Sequence, residues 1–303
     1  MLKLKGYTAG IVMKLLNLCL FTCMSIFSLH LSSSISLIQA FFIVACIACF
    51  FMLLFLLYMF LLYGNKEIFK LHDVKLSVIR SLFNVIGMLY WLEALRCLGG
   101  NDATAIGYMT PIFTLILAYI FCNEIPTFEI VGAILVGFLG MYIIVQPTLS
   151  HIISYGAAFG IISALGFAMH DVLCKKQTLK EHYATQSFYQ FLNIAIITAP
   201  FALYNWTTVS SSDVLYITLM AFVSVFNVIV LFFAYKLAPV MVLMPFSYCR
   251  LIFMAVATYA LFGDVPSQNS IVGAVIISIA SSYIFYTQSK MKVTKGIVSQ
   301  ENV

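Results

Sequence analysis

Four ionisable side chains lie in stretches of this sequence that are otherwise apolar: Arg250, Glu93, His170 and Asp171. A charged group in hydrocarbon is unfavourable unless it is paired or hydrated, so each of the four is a candidate for binding or for proton transfer. Arg250 has apolar-rich sequence on both sides, and its guanidinium could hold a carboxylate through two parallel hydrogen bonds. The alternative is a structural ion pair with Glu93 or Asp171.

Glu93 precedes Arg96 by three residues near the end of an apolar stretch. In a desolvated position it could bind a cationic group or serve as a coupling proton site. The alternative is an i,i+3 ion pair with Arg96 at the membrane surface. Lys14, in the first apolar stretch, is expected to extend to the surface and has no predicted role.

His170 and Asp171 are adjacent, which favours a proton relay as one interpretation. Neighbouring residues on a helix point about 100° apart, so we expect at most one of the two to face a central site. The alternative is that Asp171 only balances the charges of Lys175 and Lys176.

A segment of the chain occurs twice at an offset of 140 positions. Residues 94–126 return as residues 234–266, and Glu124 of the first copy becomes Asp264 in the second. Chance agreement between apolar residues is common in such a chain, but the match extends to tyrosine, acid and proline. The segment is therefore predicted to be an internal repeat.

The repeat also singles out aromatic residues. Tyr108 matches Tyr248, and an equivalent pair is expected close to a central axis, where the rings could stack on a planar group or face a cation. Trp91 is a third candidate. The second copy carries Arg250 where the first carries Thr110, so the symmetry breaks at the predicted binding residue.

The composition indicates which elements position these residues. Hydrophobic residues make up 63% of the chain and charged residues 9%, against about 25% charged in soluble domains. A helix needs about 20 apolar residues to cross ~30 Å of hydrocarbon. On this basis the sequence predicts an all-α membrane protein with ten spans: 9–29, 38–63, 77–98, 103–122, 130–147, 153–174, 183–204, 214–235, 240–262 and 270–287.

The basic residues predict the orientation. With ten spans, nearly all lysines and arginines fall on the side of the two termini, and that side is expected to be cytoplasmic in a cell inner membrane. The net charge of +5 is thus a topology signal, and no nucleic-acid partner is predicted.

Each copy of the repeat belongs to a unit of five predicted spans, at 1–150 and 151–290, followed by a cytoplasmic tail at 291–303. Because five is odd, the second unit must enter the membrane from the opposite side, and Glu124 and Asp264 are expected on opposite faces. Inverted repeats are typical of transporters with alternating access to a midplane site. The alternative is a duplication retained only for packing.

Several motifs resemble the EamA-type transporters of the drug/metabolite transporter superfamily. They are Trp91-x-x-Ala94-Leu95, Ala103-Thr104-Ala105, Pro111-Ile112-Phe113-Thr114, Leu117-Ala118-Tyr119 and Asn123-Glu124 followed by Gly132. The resemblance covers nearly the whole chain. It implies two five-helix halves around a central cavity and transport of small metabolites without ATP.

A finer resemblance is to bacterial S-adenosylmethionine uptake transporters, through residues 167–171 with Lys175-Lys176 and through Pro245 followed by Tyr248 and Leu251. It implies uptake of that zwitterion, by exchange or proton coupling, with Tyr108, Tyr248 and Trp91 facing its base or sulfonium. The chain departs from that pattern at Cys249-Arg250, where the resemblance implies an acid. An exporter of amino acids or drugs remains the alternative substrate class, and a channel or scaffold subunit the alternative function.

The sequence contains no signature of an intramembrane enzyme, such as His-Glu-x-x-His or Gly-x-Ser-x-Gly. Cys46-x-x-Cys49 has no second pair and favours helix packing over a metal site. No cofactor is predicted, the partners are a small-molecule substrate and the lipid bilayer, and a homodimer is one open oligomeric state.

Overall fold

The computed structural model describes residues 2–32, 35–64, 69–98, 100–147, 154–204, 206–263 and 265–298, with side chains for all of these except 2–6, 100–101 and 288–298. All regular structure in this part of the chain is helical. Ten segments are long and apolar enough to cross a membrane, which confirms the predicted spans. Spans 1 to 10 are Tyr7–Leu29, Leu37–Tyr63, Val74–Leu98, Asp102–Cys122, Phe128–Val145, Tyr155–Thr178, Tyr183–Tyr204, Ser211–Leu237, Val240–Phe262 and Gln268–Thr287.

Because the number of spans is even, both ends of the chain emerge on one side, here termed the termini side. The first helix begins before its span, at Leu2, and the last runs on to Val298. That last helix passes through residues 291–298 of the predicted tail, while residues 299–303 lie outside the described chain.

Two of the ten spans are interrupted. Span 4 consists of helices Gly100–Gly107 and Thr110–Cys122. Span 9 consists of a short helix Val240–Leu243, a 3₁₀ turn Met244–Tyr248 and helix Cys249–Phe262. Proline lacks an amide hydrogen and cannot continue the preceding turn, and Pro111 and Pro245 begin the segments after the breaks. Pro200 behaves differently, because helix Tyr183–Tyr204 continues through it.

The side chains are distributed as expected for a protein in lipid. Large apolar side chains such as those of Phe50, Leu61 and Phe128 are exposed, whereas polar ones are buried between spans. Asn17 on span 1 and Asn227 on span 8 each donate through the side-chain amide to the other's backbone oxygen, at 3.2 and 2.7 Å. Polar groups in hydrocarbon must find partners inside the protein, which makes this reciprocal pair a fixed contact between the two spans.

The packing of the helices follows the inverted repeat. Span 6 packs along span 3 and against span 4, and its counterpart span 1 packs along span 8 and against span 9. These sets are termed the 3–4–6 group and the 1–8–9 group. Spans 5 and 10 pack on each other, as do spans 2 and 7. The interfaces of span 6 with spans 3 and 4 thus recur as the interfaces of span 1 with spans 8 and 9. Such recurrence is expected of a duplicated and inverted unit.

Glycines permit the closest helix crossings. A Cβ at Gly166 on span 6 would lie 2.9 Å from the backbone nitrogen of Gly87 on span 3, so no other residue fits there without a shift. Ser163 donates to the Gly87 oxygen at 2.7 Å at the same crossing. Gly156 and Gly160 also allow close packing, since a Cβ at either would lie 2.7 Å from a side chain of another span.

Two acidic side chains accept backbone hydrogen bonds at the beginnings of spans 3 and 8. On the termini side, buried Glu181 accepts from the backbone nitrogens of His72 at 2.8 Å and Asp73 at 2.9 Å, and contacts the His72 ring at 3.0 Å. On the opposite side, Asp213 accepts from the backbone nitrogen and hydroxyl of Ser32, both at 2.9 Å. Glu181, between spans 6 and 7, therefore holds the residues just before span 3. Asp213, at the beginning of span 8, holds Ser32 in the loop after span 1.

We expect Glu181→Ala to lower the free energy of unfolding by about 2 kcal/mol, because two backbone N–H donors lose their acceptor in a buried site. Thermal unfolding of the purified protein in detergent measures this. Glu129→Ala is the matched control, since that acid is only partly buried at the beginning of span 5 and its removal should change stability less than the removal of Glu181. Equal effects of the two substitutions would contradict the assigned role of Glu181.

Candidate functional site

The two tyrosines that the repeat relates lie together at the centre of the molecule. Their rings stack with centroids 5.8 Å apart and planes at 25°, and Tyr248 Oη donates to the Tyr108 backbone oxygen at 3.4 Å. Tyr108 lies in the break of span 4 and Tyr248 in the 3₁₀ turn of span 9. Transporter sites are typically formed where spans are discontinuous, so the two breaks locate the candidate site.

The Tyr248 side chain is completely buried, and a glycine makes room for it. A Cβ on Gly137 of span 5 would lie 2.5 Å from Tyr248 Cδ2 and 2.9 Å from Cε2. Trp91 lies against the residue before Tyr108, since a Cβ on Gly107 would lie 2.7 Å from Trp91 Cζ3. Three predicted aromatic residues thus border the same region.

Arg250 follows the tyrosine pair in the first turn of helix Cys249–Phe262. Its guanidinium carbon lies 4.1 Å from the ring centroid of Phe21 on span 1, a favourable cation–π distance. Neither Glu93 nor Asp171 forms an ion pair with it: Glu93 is paired with Arg96, and the acidic oxygen of Asp171 contacts His170. The predicted alternative of a structural ion pair is therefore not formed, and the guanidinium is half-buried with its donors directed to no carboxylate of the described chain.

Lys14 is the central residue that the sequence interpretation missed. Instead of extending to the surface, its side chain is only 6% exposed, and its amine lies 5.9 Å from the ring centroid of Tyr235. It interacts electrostatically with Asp171, which attracts it, and with Arg250, which repels it. Lys14 and Phe21 are seven residues apart and share a helix face, which is the signal that could have placed Lys14 beside the site.

His170 and Asp171 contact each other, with Nδ1 and Oδ1 separated by 3.3 Å. Their side chains are 6% and 19% exposed, and Asp171 belongs to the charge environment of Lys14. The alternative that Asp171 balances the following lysines is not formed, because Lys175 binds elsewhere and Lys176 lies over the ring of Phe121. Their role in a proton relay stays a prediction.

Glu93 pairs with Arg96 at 2.8 Å, and the two side chains are 46% and 73% exposed. The i,i+3 alternative is therefore the arrangement that forms, at the end of span 3 opposite the termini side. The strong desolvation on which a coupling role would depend is absent at this position. A contribution of Glu93 to substrate binding stays a prediction.

On the termini side, two charged residues of the 3–4–6 group hold the junction between spans 8 and 9. The Glu124 carboxylate accepts from the backbone nitrogens of Val240 and Met241, both at 3.0 Å, where the short first helix of span 9 begins. Lys175 donates to the backbone oxygens of Tyr235 and, at 2.8 Å, Ala238, where span 8 ends. Each charge complements a helix end, which makes this termini-side clamp favourable.

The opposite ends of the two groups are arranged differently. The end of span 3 carries the exposed Glu93–Arg96 pair, while His30 after span 1 stacks on Tyr216 and Phe262 of its own 1–8–9 group. Asp264, the repeat counterpart of Glu124, lies outside the described residues. The bonds that join the groups in the described chain thus concentrate at the centre and on the termini side.

We expect Gly137→Ala to destabilise the protein by about 1–3 kcal/mol, because the added methyl group overlaps the Tyr248 ring and forces the tyrosine pair apart. Thermal unfolding in detergent measures this. Gly132→Ala on the same helix is the matched control, since its Cβ would meet nothing within 4 Å; it should be neutral or slightly stabilising. The overlap is confirmed as the cause if adding Tyr248→Ala reduces the effect of Gly137→Ala in a double-mutant cycle.

Comparison with known proteins adds independent findings. A model of the EamA-like transporter family matches residues 8–146 and 154–286. The S-adenosylmethionine uptake transporter of Rickettsia prowazekii is 29% identical over 294 residues, covering 96% of this chain and 97% of that protein. The riboflavin transporter of Brucella anthropi is 26% identical over 220 residues, covering 71% and 77%.

A solved crystal structure has the same fold, with a TM-score of 0.78 at 12% identity, covering 94% of this chain and 99% of that chain. The two matched segments of the family model contain spans 1–5 and 6–10 and together account for most of the sequence. The chain belongs to the EamA-like transporter family.

Proposed function

We propose that this transporter takes up S-adenosylmethionine, or a zwitterion of closely similar chemistry, by alternating access across the bacterial inner membrane. The observation that carries the proposal is the central guanidinium of Arg250, which lies over the ring of Phe21 and has no carboxylate partner in the described chain. The similarity to S-adenosylmethionine uptake transporters over nearly the whole chain supports the choice of substrate.

The charges at the centre suit this substrate. Lys14 and Arg250 contribute two positive charges and Asp171 one negative charge, so the cluster favours a ligand that brings a carboxylate. S-adenosylmethionine carries a carboxylate, an ammonium, a sulfonium and an adenine ring. In our proposal Arg250 holds the carboxylate with Lys14 nearby, and Asp171 attracts the ammonium group.

The aromatic residues provide the remaining contacts. Tyr108, Tyr248 and Trp91 offer faces on which adenine can stack and toward which a sulfonium is attracted. Because Tyr248 is completely buried in this conformation, the pair must separate or rotate for a ring to enter. Substrate binding is therefore coupled in this proposal to a movement at the breaks of spans 4 and 9.

The termini-side clamp supports an assignment of the conformation. It joins the two groups on the side that the positive-inside rule identifies as cytoplasmic, so we assign the structure to a state closed toward the cytoplasm. Release of substrate inward then requires Glu124 and Lys175 to leave the helix ends of spans 8 and 9. Inverted repeats supply the movement, since exchanging the conformations of the two halves opens one side as it closes the other.

We expect Arg250→Ala to reduce uptake of labelled S-adenosylmethionine into cells expressing the protein by at least about tenfold. The reason is that a lost charge-assisted contact in a desolvated site exceeds the ~1.4 kcal/mol of a tenfold change. Arg250→Lys should be intermediate, because it keeps the charge but not the two-pronged geometry. Arg96→Ala, which removes an exposed arginine, is the matched control and should retain uptake within about twofold.

Uptake by the wild-type protein no greater than in cells without it would reject this substrate. Counterflow from proteoliposomes loaded with amino acids or other metabolites would then test the exporter alternative. Saturation and stimulation by substrate on the opposite side would argue against a channel.

A second experiment tests the clamp. The background is a variant that retains Cys122 as its only cysteine, labelled from the termini side by an impermeant maleimide. We expect both Glu124→Ala and Lys175→Ala to speed labelling of this thiol by about tenfold. That factor corresponds to a shift of ~1.4 kcal/mol toward the state that is open on the termini side. Cys122 is half-buried at the end of span 4, next to the clamp.

Removing an anion and removing a cation change the local field in opposite senses. An increase in both variants therefore reports opening and not a change in thiol acidity. Glu129→Ala, which removes a partly buried acid at the beginning of span 5, is the control and should not alter the labelling rate. Acceleration in only one of the two clamp variants would contradict the gating role.

A further inference from the structure

Arg80 on span 3 is a second arginine without an acidic partner among the residues that the structure describes, at a place distinct from the tyrosine site. The sequence interpretation counted it among the basic residues that face the cytoplasm. The structure instead buries it completely between spans, and it is the largest side chain in the described chain to be so buried. It contacts spans 6, 7 and 8 toward the termini-side end of span 3, whereas Glu93 lies toward the other end of that span.

The contacts of its guanidinium are weak for a buried cation. One terminal nitrogen donates to the Gln186 backbone oxygen at 3.2 Å and the other to Cys174 Sγ at 3.7 Å. The guanidinium carbon lies 5.1 Å from the ring centroid of Phe232, and Nε has no partner in the described chain. A guanidinium has five N–H donors, so most of its hydrogen-bonding capacity is unused.

The acids on neighbouring elements are occupied elsewhere. Glu181 accepts from His72 and Asp73, Asp73 caps the beginning of span 3 and pairs with Lys180, and Asp171 contacts His170. No carboxylate of the described chain forms an ion pair with Arg80. Its charge is therefore not neutralised by the residues that surround it.

A buried amide group beside Arg80 also lacks a partner. Arg80 donates to the Gln186 backbone oxygen, and Gln186 is itself completely buried. The Gln186 Oε1 lies 3.4 Å from the Thr178 hydroxyl, which donates at 2.7 Å to the Cys174 backbone oxygen, and the Gln186 Nε2 donates to nothing described. Spans 3 and 7 thus place a guanidinium and an unpaired amide donor in one buried layer.

We propose that this layer, formed by Arg80 and Gln186, binds a small monovalent inorganic anion of the halide class. Water can satisfy the unpaired hydrogen-bond donors, but it cannot neutralise the charge, and arginine does not deprotonate to escape burial. An anion does both. The N–H donors of a cation without an acidic partner in the described chain favour chloride over a cation or an apolar ligand.

The bound anion would join spans 3 and 7 and so stabilise the packing of span 7 against the 3–4–6 group. It would act independently of the transported substrate, because none of the residues of the layer belongs to the tyrosine site. Chloride is expected to raise thermal stability by mass action, since it binds the folded layer and has no comparable site in the unfolded chain.

The test uses the full-length protein purified in detergent without chloride, in sodium gluconate. Chloride or bromide then replaces gluconate at constant ionic strength, and the melting temperature is followed. We expect a saturable rise with either halide. Arg80→Gln should abolish the rise, whereas Arg96→Gln, which removes an exposed arginine of the same span, should retain it.

If Arg80→Gln does not fold, the line width of the chloride NMR signal measures binding directly. Wild-type protein should broaden it, and bromide, but not gluconate, should reverse the broadening. Gln186→Leu keeps Arg80 and removes an amide donor, and it should weaken the binding by at least about tenfold. A melting temperature that is the same in chloride and gluconate, without broadening that bromide reverses, would overturn the proposal and assign the layer to water alone.

Discussion

Glu124 and Lys175 bind the two helix ends that meet between spans 8 and 9, and the arrangement of the two groups depends on this contact. A helix end leaves backbone N–H or C=O groups without partners, and hydrocarbon offers no water to replace them. The carboxylate accepts hydrogen bonds from the N–H groups of Val240 and Met241, and the ammonium donates to the backbone oxygens of Tyr235 and Ala238. Two charges that would otherwise be unfavourable near the membrane thereby hold the 3–4–6 group against the 1–8–9 group.

The inverted repeat explains why such a contact can also be released. Both groups have the same internal packing, span 6 along span 3 and span 1 along span 8, with the close approach of Gly166 to Gly87 as an example of how tight it is. Interfaces within the groups are fixed by backbone proximity and by buried hydrogen bonds. The contacts between the groups include charged side chains that bind helix ends and a stacked tyrosine pair, beside apolar packing of spans 8 and 9 against spans 4 and 6.

Arg250 and Arg80 show two solutions to the burial of a guanidinium. Each lies against an aromatic ring, Phe21 in one case and Phe232 in the other, and neither has a carboxylate partner in the described chain. Arg250 is half-buried at a break in its span, where a movement can bring it a ligand. Arg80 is enclosed by continuous spans, so what it binds would be part of the folded structure.

The sequence by itself determined the ten spans, their inversion and the pairing of Tyr108 with Tyr248. Apolar length sets the number of crossings, an odd number of spans inverts the second repeat, and equivalence places the two rings near one axis. Only the tertiary structure decided that Lys14 is buried, that Glu93 pairs with Arg96 and that Glu124 binds the beginning of span 9. The physical reason is that in so apolar a chain the lipid-facing and the protein-facing sides of a helix carry similar residues. The sequence therefore does not show which helix faces pack together, and this packing sets the partner of each charge.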